Sequence, residues 1–276
     1  MLMPNKIIKA LLAAGLFFSM AALYADEPLD GDKTAFTKSE LDGVRTDPAY
    51  FTINPASVKI TRLEVTEEND FSSLGPVRDD SASSLVIIDQ IVNTAARIWD
   101  IIKQNAPVVN LDTKYATAVP QGITAWNQLT EWKKPKTYIY GFYAENLYGA
   151  TTIDVTYKVI FTAGGKYKGK GQYLTGVTVI PTTTNVSWGY RFSLAAQVPD
   201  STIANVGTNK DPIASLQLKS AWKISTAIKE SDGVSVYYIQ GDGYFEEIAS
   251  PFSKNEVKME DIKSAAPLSM DPAKIF

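Results

Sequence analysis

Cysteine and histidine are both missing from this chain of 276 residues. Without cysteine there is no disulfide, no thiol nucleophile, no thiolate metal ligand and no acylated lipoprotein cysteine. Without histidine there is no Ser-His-Asp triad, no imidazole-bound zinc and no side chain that titrates near neutrality when unperturbed. Acid–base work would fall to carboxylates, lysine or tyrosine with shifted pKa values. An excess of positive charge is missing too. Lys+Arg is 27 against Asp+Glu 30, a net charge of −3, so no global surplus points to nucleic acid.

What is present is a folding composition: 45% hydrophobic, 21% charged and 11% aromatic residues. The first segment carries Lys6 and Lys9, then the uncharged apolar run Ala10 to Leu23, then Leu23-Tyr24-Ala25 before Asp26-Glu27. This is the pattern of a secretory signal peptide over 1–25, cleaved after Ala25. Its apolar run is shorter than the roughly 18 residues a membrane-spanning helix favours. Removal of residues 1–25 takes away two lysines and leaves 25 basic against 30 acidic residues, a charge of −5. Export without disulfides points to a periplasmic or secreted bacterial protein. Asn185-Val186-Ser187 is a glycosylation sequon, relevant only in a eukaryote.

Residues 26–82 are polar and broken by Asp, Gly and Pro, and are expected to form an extended lead-in. A strand is expected at 57–66, where Val58 and Ile60 share a face and Leu63 and Val65 break the alternation. Segment 83–106 is expected to be an amphipathic helix. Ile88, Ile91, Ala95, Ile98, Trp99 and Ile102 recur at helical spacing, opposite Asp89, Asn93, Arg97, Asp100 and Gln104. Asp80, Ser81 and Ser83 offer N-caps and Pro107 an end.

From 107 to 249 the period changes to two. Ile153, Val155, Tyr157, Val159 and Phe161 alternate with Thr152, Asp154, Thr156 and Lys158. Trp188, Tyr190, Phe192 and Leu194 do the same, as do Leu216, Leu218, Trp222 and Ile224. Such alternation marks half-buried antiparallel strands. Further strands are expected at 136–145, 171–181 and 233–248, and one at 113–119. Turns are expected at Gly164-Gly165, Pro181–Asn185 and Asp232-Gly233. Segment 199–212 reads as a long loop and 250–276 as a C-terminal tail. The fold class is therefore an antiparallel β-sandwich of about six to eight strands with one amphipathic helix packed on it.

Several groupings bear on function. Lys166, Lys168 and Lys170 alternate in GGKYKGKGQY and on a strand would share a face, a cationic strip for phosphate or an anionic polysaccharide. Edge lysines also protect a sheet from aggregation. Tyr138, Tyr140 and Phe142 share one strand face, either a core face or an exposed platform for sugar or lipid. Asp79-Asp80-Ser81-Ala82-Ser83 has the D-x-S-x-S spacing of an adhesion-type metal site but lacks the buried strand before it, so capping is preferred. Asp200, Asn205, Asn209 and Asp211 offer oxygens in the 199–212 loop without a recognisable calcium spacing. Asp242 and Glu246 have strand parity, but nothing marks them as a catalytic pair.

The function expected from these residues is an exported, non-enzymatic binding or accessory protein of the bacterial envelope. The ligand positions are Lys166, Lys168, Lys170, Tyr138 and Tyr140. No cofactor, metal or nucleic acid is expected. The partner is an anionic polysaccharide, a lipid headgroup or another envelope protein. Two alternatives are an outer-membrane β-barrel and a pore-forming protein that inserts the 83–106 helix.

Overall fold

The computed structural model describes residues 36–67, 85–108 and 114–249, all within the unit Gly31–Phe276. The expected signal peptide, the D-x-S-x-S segment and the C-terminal tail lie outside the described residues.

In chain order the elements are helix α1 (Lys38–Thr46), then strands β1 (Lys59–Glu67), β2 (Ile87–Val92), β3 (Ile98–Lys103), β4 (Ala106–Pro107) and β5 (Ala116–Gln121). They continue with β6 (Lys136–Glu145), β7 (Thr151–Tyr167), β8 (Lys170–Val186), β9 (Arg191–Gln197) and β10 (Ala204–Asn205). The last three are β11 (Ala214–Ser225), β12 (Glu230–Gln240) and β13 (Phe245–Ala249). One sheet runs β1-β6-β7-β8-β5-β2 and the other β13-β12-β11-β9-β3-β4, with β10 paired to β11. The pairings within both sheets are antiparallel. This is the expected antiparallel β-sandwich, with one α-helix among the described residues.

The period-two segments make its interior. Ile153, Val155, Tyr157, Val159 and Phe161 of β7 are all at most 1% exposed, as are Phe192, Leu194, Leu216, Leu218, Trp222 and Ile224 across from them. Rings of the two sheets meet directly. Phe142 lies 4.9 Å from both Phe192 and Trp222, and Tyr140 lies 5.1 Å from Tyr237. Each such side chain withdrawn from water contributes about 1.5–3 kcal/mol. The sheets are open, with β1, β2, β13 and β4 at their ends.

Strand β1 forms at 59–67 with Val58 and Ile60 buried. Its register slips between Arg62 and Glu64, and Leu63 and Val65 are exposed. The break in alternation thus corresponds to a β-bulge.

Segment 83–106 corrects the helix expectation. Where it is described, from Leu85, it forms β2, β3 and the first residue of β4. The segment is rich in β-branched Ile and Val, which favour strands. Asn93 sets the corner between them: its Oδ1 accepts from the N–H groups of Ala95 and Thr117 and from the Thr117 hydroxyl, and its Nδ2 donates to the Ala96 carbonyl. A bulge between Asp100 and Ile102 lets Trp99, Ile101 and Ile102 all face inward, while Ile98 is 58% exposed. The expected helical stripe is therefore not one surface. Gln104 and Asn105, both at positive φ, make a two-residue turn into β4.

The helix of this fold, α1, lies instead in the expected lead-in. Thr37 and Glu40 form a capping box, and Glu40 pairs with Arg191 of β9. It carries no apolar stripe: the Glu40–Arg191 pair and the close approach of Gly43 to the Phe51 and Trp188 rings hold it. Among the described residues no helix is long and apolar enough to cross a membrane.

Three expected turns also move. Gly164 and Gly165 lie inside β7, Pro181 to Asn185 inside β8, and Asp232 and Gly233 inside β12. At Gly165 the reason is packing: a Cβ there would come within 2.4 Å of the Trp132 ring.

Candidate functional site at a lysine-rich end

Strands β7 and β8 are joined by a tight hairpin. Tyr167 pairs with Lys170, and the loop between them is Lys168-Gly169. Both loop residues have positive φ, +50° and +75°, as a type I′ turn requires. Lys166, Lys168 and Lys170 therefore do not share a strand face, which corrects the expected strip. They surround the tip of a hairpin: Lys166 ends one strand, Lys168 forms the apex and Lys170 begins the other.

The apex has an uncommon occupant. Asn, Asp and Gly favour such φ values, whereas a residue like lysine in the left-handed region costs about 1–2 kcal/mol. Its ammonium lies 5.2 Å from the centre of the Tyr167 ring.

Three further segments are bound to this hairpin. The stretch before β6 runs alongside it. Thr130 and Lys166 exchange both backbone hydrogen bonds, at 2.9 and 2.8 Å, and the Lys133 N–H donates to the Ala163 carbonyl at 2.9 Å. The β12–β13 turn closes on it as well, with the Gly164 N–H donating to the Gly241 carbonyl at 2.8 Å. The loop before β11 joins through the Asp211 carboxylate, which accepts from the Gly171 N–H at 2.9 Å.

The segments that meet here carry Lys133, Lys134, Lys136, Lys166, Lys168, Lys170 and Lys210, with Glu131, Asp211, Asp242 and Glu246 among the acids nearby. Lys166 is neutralised by Glu131 at 2.6 Å. Lys133 and Lys136 are not held by carboxylates in the same way: their ammonium groups donate to the carbonyls of Asp242 and Gly243, at 2.7 and 3.2 Å. A carbonyl orients an ammonium without cancelling its charge. The result is a cationic surface on a chain whose net charge is −3. Chemically it can hold anions by charge-assisted hydrogen bonds.

The run Lys133-Lys134-Pro135-Lys136 is a local charge cluster that the reading of the sequence passed over. Its meeting with the hairpin was not legible there, because hydrogen bonds between residues far apart in the chain create it.

Tyr138 and Tyr140 are not part of this surface. Tyr140 is fully buried and stacked 5.6 Å from Tyr157, and burial pushes its hydroxyl far above the ordinary tyrosine range. Tyr138 is 9% exposed and stacks 3.7 Å from Phe245. Their strand face is core, so they are removed as ligand positions.

The remaining polar groupings build loops. Asp200 pairs with Arg97 at 2.8 Å, and Asn205 Oδ1 accepts from Gly207 and Ile213. Asp242 accepts from the Tyr244 N–H, and Glu246 from the Tyr244 hydroxyl. Among the described residues no group of three or more Asp or Glu is placed to hold a metal ion. Compared with protein families, curated proteins and solved structures, the chain matches none of them.

Proposed function

We propose that this is an exported, non-enzymatic binding or accessory protein of the bacterial cell envelope, engaging an anionic envelope component through its lysine-rich end. The observation that carries the reading is the gathering of lysines from three separate segments at one end of a net-acidic chain. Lys133 and Lys136 are oriented there by carbonyls, and Lys168 occupies a backbone position that lysine disfavours. Export is supported by the residues of 1–25. Surface charge of one sign steers encounter with a partner of the other and gives binding that weakens with salt.

The test is fractionation of producing cells, with intact-mass measurement and salt elution. The expected product begins at or near Asp26, is found in the envelope or medium, and is released from isolated envelopes by high salt without detergent. A product that begins at Met1, or one released only by detergent, would contradict the reading.

A further inference from the structure

Aromatic side chains share the lysine-rich end. Trp126 and Trp132 lie half-buried beside the hairpin but face the protein: the Trp132 ring packs on the core over Gly165 with its indole N–H donating to the Trp126 carbonyl at 3.2 Å, and the Trp126 N–H is buried. Tyr167 carries the Lys168 ammonium near its ring, and Tyr244, 48% exposed, stands on the β12–β13 turn.

The hairpin apex stands clear of its neighbours: Lys168, Gly169 and Lys170 are exposed, and a Cβ on Gly169 would meet nothing within 4 Å. A groove would suit a single chain threading through it. An exposed tip that carries Lys168 and Lys170 suits a broad anionic surface. An exposed ring with an apolar body and a polar handle, here Tyr244, settles at the level of lipid headgroups. Lysines beside it gain from the negative potential of an anionic leaflet.

We infer that this end docks onto the headgroup surface of an anionic lipid bilayer, an inference that rests on the anion-binding reading proposed above. The protein then stands on the membrane end-on. Its two sheets carry the α1 end away from the lipid, because β12 alone spans roughly 35 Å over its 11 residues. The net negative charge of the chain favours the same orientation by repelling its remaining surface from the bilayer.

The experiment is co-sedimentation of the mature chain with vesicles of phosphatidylglycerol or of phosphatidylcholine, at low and high salt, with alginate as a soluble anionic polysaccharide in a parallel arm. Binding is expected to phosphatidylglycerol only, and to be lost at high salt. Lys168→Gln with Lys170→Gln should weaken it roughly 25-fold, about five-fold per lysine. Lys229→Gln, on the exposed turn at the far end of β12, should leave it unchanged. Thermal melting of each variant separates lost binding from lost folding.

Equal binding to both lipids, or binding indifferent to Lys168 and Lys170, would overturn the inference. So would retention by alginate without retention by phosphatidylglycerol, which would leave the anion-binding reading standing. Failure in both arms would remove both.

Discussion

Arg191 on β9 reaches the Glu40 carboxylate of α1 at 2.9 Å, and Glu40 is only 3% exposed. The same carboxylate accepts from the Thr37 backbone N–H at 2.7 Å. Burial acts to raise its pKa, but the donors from Thr37 and Arg191 outweigh it and hold the carboxyl below the ordinary glutamate range. A depressed carboxylate pKa adds stability that is present above the unfolded value and lost as pH falls through the folded one. Glu40→Gln should cost about 2–4 kcal/mol at pH 7, less than a fully buried pair because Arg191 keeps some exposure. The cost should shrink as pH drops below about 4.3. Denaturant melts of both proteins across pH would check this, and a difference independent of pH would count against it.

Asn93 distinguishes the β2–β3 corner from a continuous helix. Its side chain joins Ala95, Ala96 and Thr117, and Thr117 is 5% exposed. Asn93→Ala would leave the Thr117 N–H without its acceptor. The expected loss is about 2–3 kcal/mol by chemical denaturation. On the polar face of a helix the same change would move stability by less than about 0.5 kcal/mol.

Tyr157 and Tyr237 meet hydroxyl to hydroxyl at 3.0 Å in the interior. Tyr157→Phe leaves the other hydroxyl buried without that partner and should cost about 1–3 kcal/mol, whereas the double change to Phe should cost less than the sum. Burial pushes both hydroxyls, and that of Tyr173, above the ordinary tyrosine range. A raised tyrosine pKa gives stability present below the unfolded value, near 10, and lost as pH rises above it. Ultraviolet titration should therefore show these tyrosines ionising together with unfolding rather than ahead of it.

Lys168→Asn should improve the fold and impair binding at once. Asn tolerates φ near +50° better than lysine, so a gain of about 0.5–1 kcal/mol is expected, together with weaker retention on isolated envelopes. Thermal melts and salt elution measure the two effects separately. A variant that melts higher and binds as before would deny Lys168 its role.

The sandwich was legible where burial follows a strict period. In β7, β9 and β11 alternation decides the inward face, and Tyr157, Phe192 and Trp222 are where that rule puts them, whereas Trp188, expected on the face of Phe192, precedes β9 and is 52% exposed. Segment 83–106 misled because Ile88, Ile91, Ala95, Ile98, Trp99 and Ile102 happen to fall at helical spacing. The corner that divides them depends on Thr117, a contact no local pattern displays. Helix α1 was passed over because it lacks an apolar stripe, although Thr37-Lys38-Ser39-Glu40 carries a capping-box spacing. The lysine triplet was visible, but its geometry was not. Placing the turn at Gly164-Gly165 hid the true apex, and only Trp132 lying over Gly165 explains why those glycines stay within β7.

The central claim is that the hairpin end, and not another surface, meets the envelope. Hydrogen exchange on the mature chain, with and without isolated envelopes, tests it most directly. Slowed exchange is expected in segments 130–136, 164–172 and 241–244, with the α1 end unchanged. Protection confined to 38–46 and 187–190, with segment 164–172 exchanging as in the free protein, would contradict the account.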